Sequence, residues 1–333
     1  VHGCHGAVEI RRQSWQAPNV PDQRDLELRQ TAFDHVRALS RRYDDIIPVD
    51  ELRKGFEFRG QRVSLGSFYS GIFRPRNLEG PAALCLVTAP PKASGRAPYE
   101  DGFDETTNGF VYHYRSAKTD TAQARLTAEA DNRTLRSAFE LGVPLLYFHG
   151  VAPGQYTPVF PMFVTADDPH RRVVSLQAAM PLADVTEAGL QSGEDLRRYA
   201  TREARIRLHQ HRFRFEVMRA YSGSCAICAL REASLVQAAH IIEDHDPRGA
   251  ATVVNGIALC AIHHLAYDRN VMGIDPTGVV HIATRLLHEI DGPMLRVGLQ
   301  GFHGEAMRQP RVRVQRPDPD RLEARYEQFK AAA

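Results

Sequence analysis

The sequence predicts an α+β chain with two main domains: an N-terminal β-barrel-like unit flanked by helices, and a smaller C-terminal domain organised around metal. Three observations carry this. From about residue 56 to 165 the chain is a series of short apolar runs broken by Gly, Pro and Asn, the texture of strands in a mostly β unit. Residues 187–221 switch to a helical pattern. Just beyond, Cys225, Cys228 and Cys260 gather with His263 and His264, although the whole chain has only five cysteines. A length of 333 residues accommodates about two domains of ordinary size.

In chain order, residues 1–21 read as a flexible tail. "RDLELRQTAFDHVRALSRRYDD" (24–45) has Leu26, Leu28, Ala32, Phe33, Val36 and Leu39 at near-helical spacing. "FEFRGQRVSL", "AALCLVT", "GFVYHY", "VPLLYFHG" and "YTPVFPMFVTAD" read as strands. One helical insert, "NRTLRSAFELG", ends at Gly142 with Pro144 beyond it, a C-cap signal. "ADDPHRR" marks a turn and "VVSLQAAMPL" a last strand. The boundaries expected are 22–175 for the first domain, 176–204 for a helical linker, 205–305 for the second domain, and 306–333 for a Pro-interrupted C-terminal arm with a short final helix.

Composition excludes some classes. Apolar content of 43% and charged content of 25% are those of a globular protein, and a net charge of +2 is not that of a polycation. No run of about 18 apolar residues is present, so no membrane-spanning helix is expected. The first residues carry charges and no apolar segment of the secretory type. Sparse, odd-numbered cysteines argue against a disulfide framework and for a reducing, cytoplasmic setting. The basic side consists of 38 Arg and only 4 Lys. Arg is the better phosphate fork, and a GC-rich genome gives the same bias. Residues 202–219 hold six Arg against two Glu, either a solvated helix face or, with Arg212 and Arg214, a phosphate-contacting one.

Cys225-Ala-Ile-Cys228 is a CxxC knuckle, and Cys260-Ala-Ile-His263 is a matching C-x2-H half. Zinc takes four tetrahedral thiolate or imidazole ligands, and paired knuckles suit it. Four protein ligands leave no open position, so such a Zn2+ is structural. Ala229 follows Cys228 where many knuckles have Gly. Between the halves, His240 ends an alternating run that reads as a strand, Asn255-Gly256 is a turn signal, and "IALCAIHHLAYD" reads as a helix. Adjacent helical positions project about 100° apart, which separates the duties of His263 and His264.

"AAHII…NGIALCAIHHLAYDR" resembles the HNH endonucleases of ββα-metal fold, with His240, Asn255 and His264 in the three name positions. The resemblance covers about residues 205–285. It implies hydrolysis of a phosphodiester by one divalent metal, Mg2+ or Mn2+. A neutral imidazole is a competent base, so His240 would take a proton from water. His264 would be a metal ligand, Asn255 would orient His240 or assist the metal, and Asp268, one turn after His264, would accept its second N–H. Many family members have Asp just before the first His. Here that position is Ala239, so the carboxylate would come from Glu243, Asp244 or Asp246, or the metal would be held by imidazole, amide and water. His245 reads as a loop histidine.

The stretch 49–168 is similar to SRA-type domains of the PUA-like group, through "GI.R", "YED..D" with aromatics soon after, and "N..L..A...G.P..Y..G". This completes the expected fold class, a PUA/SRA-like β-barrel followed by an HNH domain with structural zinc. A base-extruding pocket needs π faces and acceptors; Tyr99, Tyr112 and Tyr114 would supply faces, Asp101 and Asp104 acceptors. Where the SRA motif has its second Asp, this chain has Gly102. Arg74, Arg76, Arg115 and Lys118 flank these loops as phosphate contacts. The resemblances imply a restriction-type endonuclease acting on double-stranded DNA as a homodimer, reading either a modified cytosine or an unmodified site whose methylation blocks cleavage. A non-catalytic DNA-binding protein on a zinc-stapled scaffold and an RNA-directed enzyme are the rival readings.

Overall fold

The computed structural model describes residues 22–66, 68, 71–90, 103–104, 109–179, 193–244 and 246–332. The tail, Tyr99, Asp101 and His245 lie outside them. The chain divides into two compact units, residues 1–150 with 154–202, and residues 203–333 with the short segment 151–153.

In the first unit, α1 (Gln23–Tyr43) starts where the Asp22 side chain accepts from the Arg24 N–H and ends at Asp44 in the left-handed region. Leu28, Ala32, Phe33, Val36 and Leu39 are buried as the spacing predicts. Leu26 departs from that pattern and is 41% exposed, while Asp25 and Arg29 are buried beside the stripe. The Arg29 guanidinium donates to the carbonyls of Ala82, Ala83 and Pro144 at 2.8–3.3 Å. Asp25 accepts from the N–H groups of Glu79 and Gly80. A Cβ on Gly80 would lie 2.1 Å from Asp25 Oδ2, so only glycine fits there. Burial pulls the Arg29 pKa down to about 10, against the opposing effect of Asp25.

The strands are β1 (Ile47–Pro48), β2 (Phe56–Phe58), β3 (Gln61–Val63), β4 (Ile72–Phe73), β5 (Cys85–Val87), β6 (Phe103–Asp104), β7 (Gly109–His113), β8 (Leu145–Ala152), β9 (Gln155–Asp168) and β10 (Val173–Ala178), with the short α2 (Val49–Arg53) after β1. β2 and β3 form a hairpin, with Arg59 and Gly60 at positive φ in its two-residue turn. The main sheet runs β4-β5-β8-β9-β10-β7-β6, with β1 beside β9. Its β5–β8 pair is parallel. The path is open at both ends, so the barrel expected from the sequence is a half-barrel among the described residues. α3 (Ala122–Leu141) begins at the Thr121 cap and ends at left-handed Gly142. Its C-terminal half is the predicted insert. Its first turns were hidden because they carry no apolar stripe; Leu126 is 66% exposed.

The second unit takes in residues 203–220 of α4 (Gly193–Ala220), the ribbon β11 (Val236–His240) and β12 (Gly256–Cys260), α5 (Ala261–Asp268), the hairpin β13 (Met272–Ile274) and β14 (Val280–Ile282), α6 (Thr284–Leu287), α7 (Pro293–Gly298) and α8 (Pro319–Ala332). The helix read into "IALCAIHHLAYD" is corrected here: Gly256–Cys260 is a strand, and the helix starts only at Ala261. All five β12 residues are buried. A fully buried run has no alternation to betray a strand, and pairing with β11 decides its conformation. The C-terminal arm belongs to this unit. Leu322 sits in its core, and Arg325 of α8 donates to the Tyr267 carbonyl while its guanidinium stacks 4.7 Å from the Tyr267 ring centroid. Among the described residues no helix is long and apolar enough to cross a membrane.

The Arg29 anchor makes a stability prediction. Arg29→Met would strand three buried carbonyls and leave Asp25 without its cation. It should lower the stability of the first unit by about 3–5 kcal/mol, read as a shift in denaturant midpoint with no change in the transition of the second unit. An unshifted midpoint would contradict the anchoring role.

Candidate metal and catalytic centre

Two centres lie on the ribbon and α5. The first is the Cys/His cluster. After α4, the chain turns through Cys225 and Cys228, with the Cys225 N–H bonded to the Leu230 carbonyl and the Ala229 N–H to the Cys225 carbonyl. Ala229 takes φ 63°, which is why a knuckle favours Gly there. Cys260 ends β12, and His263 follows on the first turn of α5. One ligand atom from each of Cys225, Cys228, Cys260 and His263 lies within 4.8 Å of the others. His263 Nδ1 is 3.6 Å from Cys225 Sγ and 3.1 Å from Cys260 Sγ, and Cys228 Sγ is 3.8 Å from Cys260 Sγ. With Zn–S near 2.3 Å, tetrahedral geometry sets sulfurs about 3.8 Å apart.

The donor chemistry fits as well. His263 Nε2–H donates to the Gly298 carbonyl at 2.9 Å, which leaves Nδ1 as the lone pair facing the sulfurs. Burial pushes up the pKa of the Cys225 thiol, but the His263 ring and backbone N–H groups outweigh it and hold the thiol at about 6. Burial, and then the charge of Cys225, push Cys228 up to about 12. Two thiolates in one buried knuckle repel each other, and a cation among them relieves that. The cluster can hold zinc.

The second centre is formed by His240 and His264. His240 ends β11 opposite Gly256 of β12. Its ring stacks on Phe213 of α4, centroids 3.9 Å apart and planes 14° from parallel. A Cβ on Gly256 would fall 2.3 Å from Val217 Cγ2 and 2.8 Å from Phe213 Cε2. Gly256 is thus needed less for a turn, as the sequence suggested, than for the approach of α4 that puts Phe213 against His240. His240 Nε2 is covered and has no hydrogen-bond partner among the described residues. Burial lowers the His240 pKa below its usual value; Asp244 acts upward, and His264 adds a further downward push. His240 and His264 are therefore in each other's electrostatic range.

Asn255 is fully buried. Its Oδ1 accepts from the Ile242 N–H at 3.0 Å, and its Nδ2 donates to the carbonyls of Ile242 (2.9 Å) and Ala250 (3.2 Å). Its backbone carbonyl accepts from Ile241. The amide is spent holding the loop that leaves His240, so it acts on the imidazole through the backbone. His264 Nδ1 meets Gln237 Oε1 of β11 at 2.9 Å, and its Nε2 is 3.5 Å from Asp268 Oδ2. Of the acids near His240, Asp244 is exposed, and Asp246 is bound through both oxygens by Arg248. Ala239 is fully buried in the core. Phe213, Gln237 and the spacing role of Gly256 were missed from the sequence. The signal available for Gln237 was its parity with Ala239 on β11; nothing local marked Phe213.

In the first unit the proposed base-reading residues sit differently. Tyr112 and Tyr114 are buried, 5% and 3% exposed. Tyr112 Oη–H donates to the Val87 carbonyl at 3.3 Å and Tyr114 Oη–H to Asp167 at 2.8 Å, with Arg136 over the Tyr114 ring. Asp104 lies on β6, its side chain outside the described part. Arg74 donates to the carbonyls of Leu78, Glu79 and Gly80, and Arg115 pairs with Asp131. Both guanidiniums thus serve local structure. Arg76 and Lys118 are exposed. Arg212 pairs with Glu216 one turn on, and Arg214 is half-buried.

Residues 225–275 match the HNH endonuclease family model. The second unit therefore carries an HNH endonuclease domain, and the protein is an endonuclease. No curated protein gives a significant match. A solved structure titled "Modification dependent TagI restriction endonuclease" aligns over 78% of this chain and 85% of that one, at 15% identity and a TM-score of 0.28. A likeness that slight carries no weight for fold or function.

The adjacent histidines give a clean prediction. Purified protein should contain one zinc per chain by elemental analysis. His263→Ala should lose it, and His264→Ala should keep it. Zinc lost equally from both variants would contradict the division of duties between the two rings.

Proposed function

We propose that the protein is a restriction-type DNA endonuclease that hydrolyses a phosphodiester in the second unit and selects its site with the first. The observation that carries this reading is the neighbourhood of His240 and His264 at the open end of a zinc-stapled ribbon, inside the matched segment. His240 is the general base. Burial against Phe213 keeps its ring neutral, and the Asn255 amide holds the loop that positions it. His264 offers a nitrogen to a divalent metal, Mg2+ or Mn2+, whose chemistry would be charge relief at the phosphate and at the departing oxygen. The α4 arginines lie on the helix that supports His240 and are available to steer a polyanion toward it. One such centre cuts one strand, so duplex cleavage takes a homodimer or two successive nicks.

For the first unit, a PUA/SRA-like reader of modified cytosine remains the main version. The buried, hydrogen-bonded state of Tyr112 and Tyr114, together with Gly102, favours a second version, in which an unmodified site is read without those rings and methylation blocks cutting.

Matched methylated and unmethylated plasmids, incubated with Mg2+ or Mn2+, test both versions through the fragments formed. His240→Ala should bind DNA normally and cut about 10²–10⁴-fold more slowly. Equal cutting by this variant, or no metal-dependent cutting by the unaltered protein on either plasmid, would leave only a DNA-binding role.

The pH dependence follows from the same ring. His240 works as a base only when unprotonated, and burial depresses its pKa. kcat/KM should therefore fall on acidification with a midpoint below the ordinary imidazole value of about 6.5. Asp244 favours the protonated ring, so Asp244→Asn should move that midpoint lower still. A midpoint that rises in the variant would contradict the assignment.

A further inference from the structure

α5 carries a pair of donors that the zinc cluster does not use. His264 and Asp268 stand one turn apart, with His264 Nε2 3.5 Å from Asp268 Oδ2. That is long for an N–H···O bond, whose distance centres on about 2.9–3.0 Å. The other ring nitrogen has a close partner. Gln237 Oε1 is 2.9 Å from His264 Nδ1, and an amide oxygen only accepts, so this contact puts the ring proton on Nδ1. In the neutral ring, Nε2 is then a bare lone pair facing a carboxylate oxygen. Two electron-rich atoms so placed are brought to rest by a cation. Neighbouring ligands of an octahedral ion of Mg2+ size, each at about 2.1 Å, stand about 3 Å apart, close to the separation seen.

The surroundings agree. The His264 and Asp268 side chains are 23% and 56% exposed, so an ion and its waters can reach them, whereas His263 is buried. The position before His240 is closed: Ala239 is a methyl group packed in the core. Asp246 is already neutralised by Arg248.

The geometry points to His264 Nε2 and the Asp268 carboxylate together forming the divalent-cation site, with Gln237 as the positioning residue that fixes the ring. The carboxylate that position 239 lacks is thus supplied from the helix, four residues after His264. Asp268 is then a ligand and not merely an acceptor for the second N–H. The inference rests on the nuclease reading for the use of the ion, but not for its binding.

Mn2+ binding to the zinc-loaded full chain without DNA, followed by loss of the free-ion EPR signal, tests it. One Mn2+ per chain is expected in addition to zinc. Asp268→Asn, nearly isosteric and largely exposed, should weaken Mn2+ binding at least about 10-fold with zinc content unchanged. In the metal-free site, ring 15N shifts should report His264 protonated on Nδ1, and Gln237→Leu should turn this into a tautomer mixture and loosen Mn2+ several-fold. The site is overturned if the unaltered protein binds no Mn2+, if Asp268→Asn binds it equally well, or if the resting tautomer carries its proton on Nε2. Cleavage by an enzyme whose Mn2+ affinity ignores Asp268 would sink this site and leave the nuclease standing. Mn2+ held by the pair in a protein that never cuts would do the reverse.

Discussion

The antiparallel register of β11 and β12 is the constraint on which the second unit depends. It runs from Val236 opposite Cys260 to His240 opposite Gly256. One end of the ribbon therefore carries a zinc ligand and the other the candidate base, about 13 Å apart along a five-residue strand. A slip of one residue would turn every side chain to the other face, removing Cys260 from the knuckle and His240 from Phe213 together. Zinc fixes the ribbon at its Cys260 end, joins it to the turn after α4, and through His263 holds the start of α5. The helix then carries His264 back beside Gln237 of β11. One pairing and one metal cluster thus align three chain segments.

Close packing at the other end does comparable work without a metal. Gly256 removes the Cβ that would collide with Phe213 and Val217, and α4 settles against the ribbon with Phe213 flat on the imidazole. Burial there gives His240 its lowered pKa, and the Asn255 amide secures the loop beyond by three hydrogen bonds to backbone. The helix that buries the base is also the Arg-rich one. A structural support and a polyanion-facing surface therefore share one element.

What the sequence made legible followed from chemistry that tolerates little variation. Zinc spacing identified Cys225, Cys228, Cys260 and His263 as a group, and their donor atoms do converge. The α1 stripe and the Gly142 cap were readable because periodicity and left-handed φ leave local marks. β12 was not readable as a strand, since five buried residues in a row fit either helix or strand until β11 pairs with them. Arg29 was invisible as a core residue because its burial is set by carbonyls 53 to 115 positions away. Phe213 and Gln237 escaped for the same reason: their partners, His240 and His264, are 27 positions away in each case. The burial of Tyr112 and Tyr114 was likewise settled by contacts with Val87 and Asp167, which no spacing rule reports.

The central claim is that two metal centres sit on this ribbon and helix, one closed and structural, one open and beside the base. Crystals of the zinc-loaded protein soaked in Mn2+ and measured at the zinc and manganese absorption edges test it most directly. The account predicts a zinc peak among Cys225, Cys228, Cys260 and His263, and a separate manganese peak touching His264 on the side that faces His240. Manganese found only at scattered surface carboxylates, or zinc found at His264 with the four-residue cluster unmetallated, would contradict it.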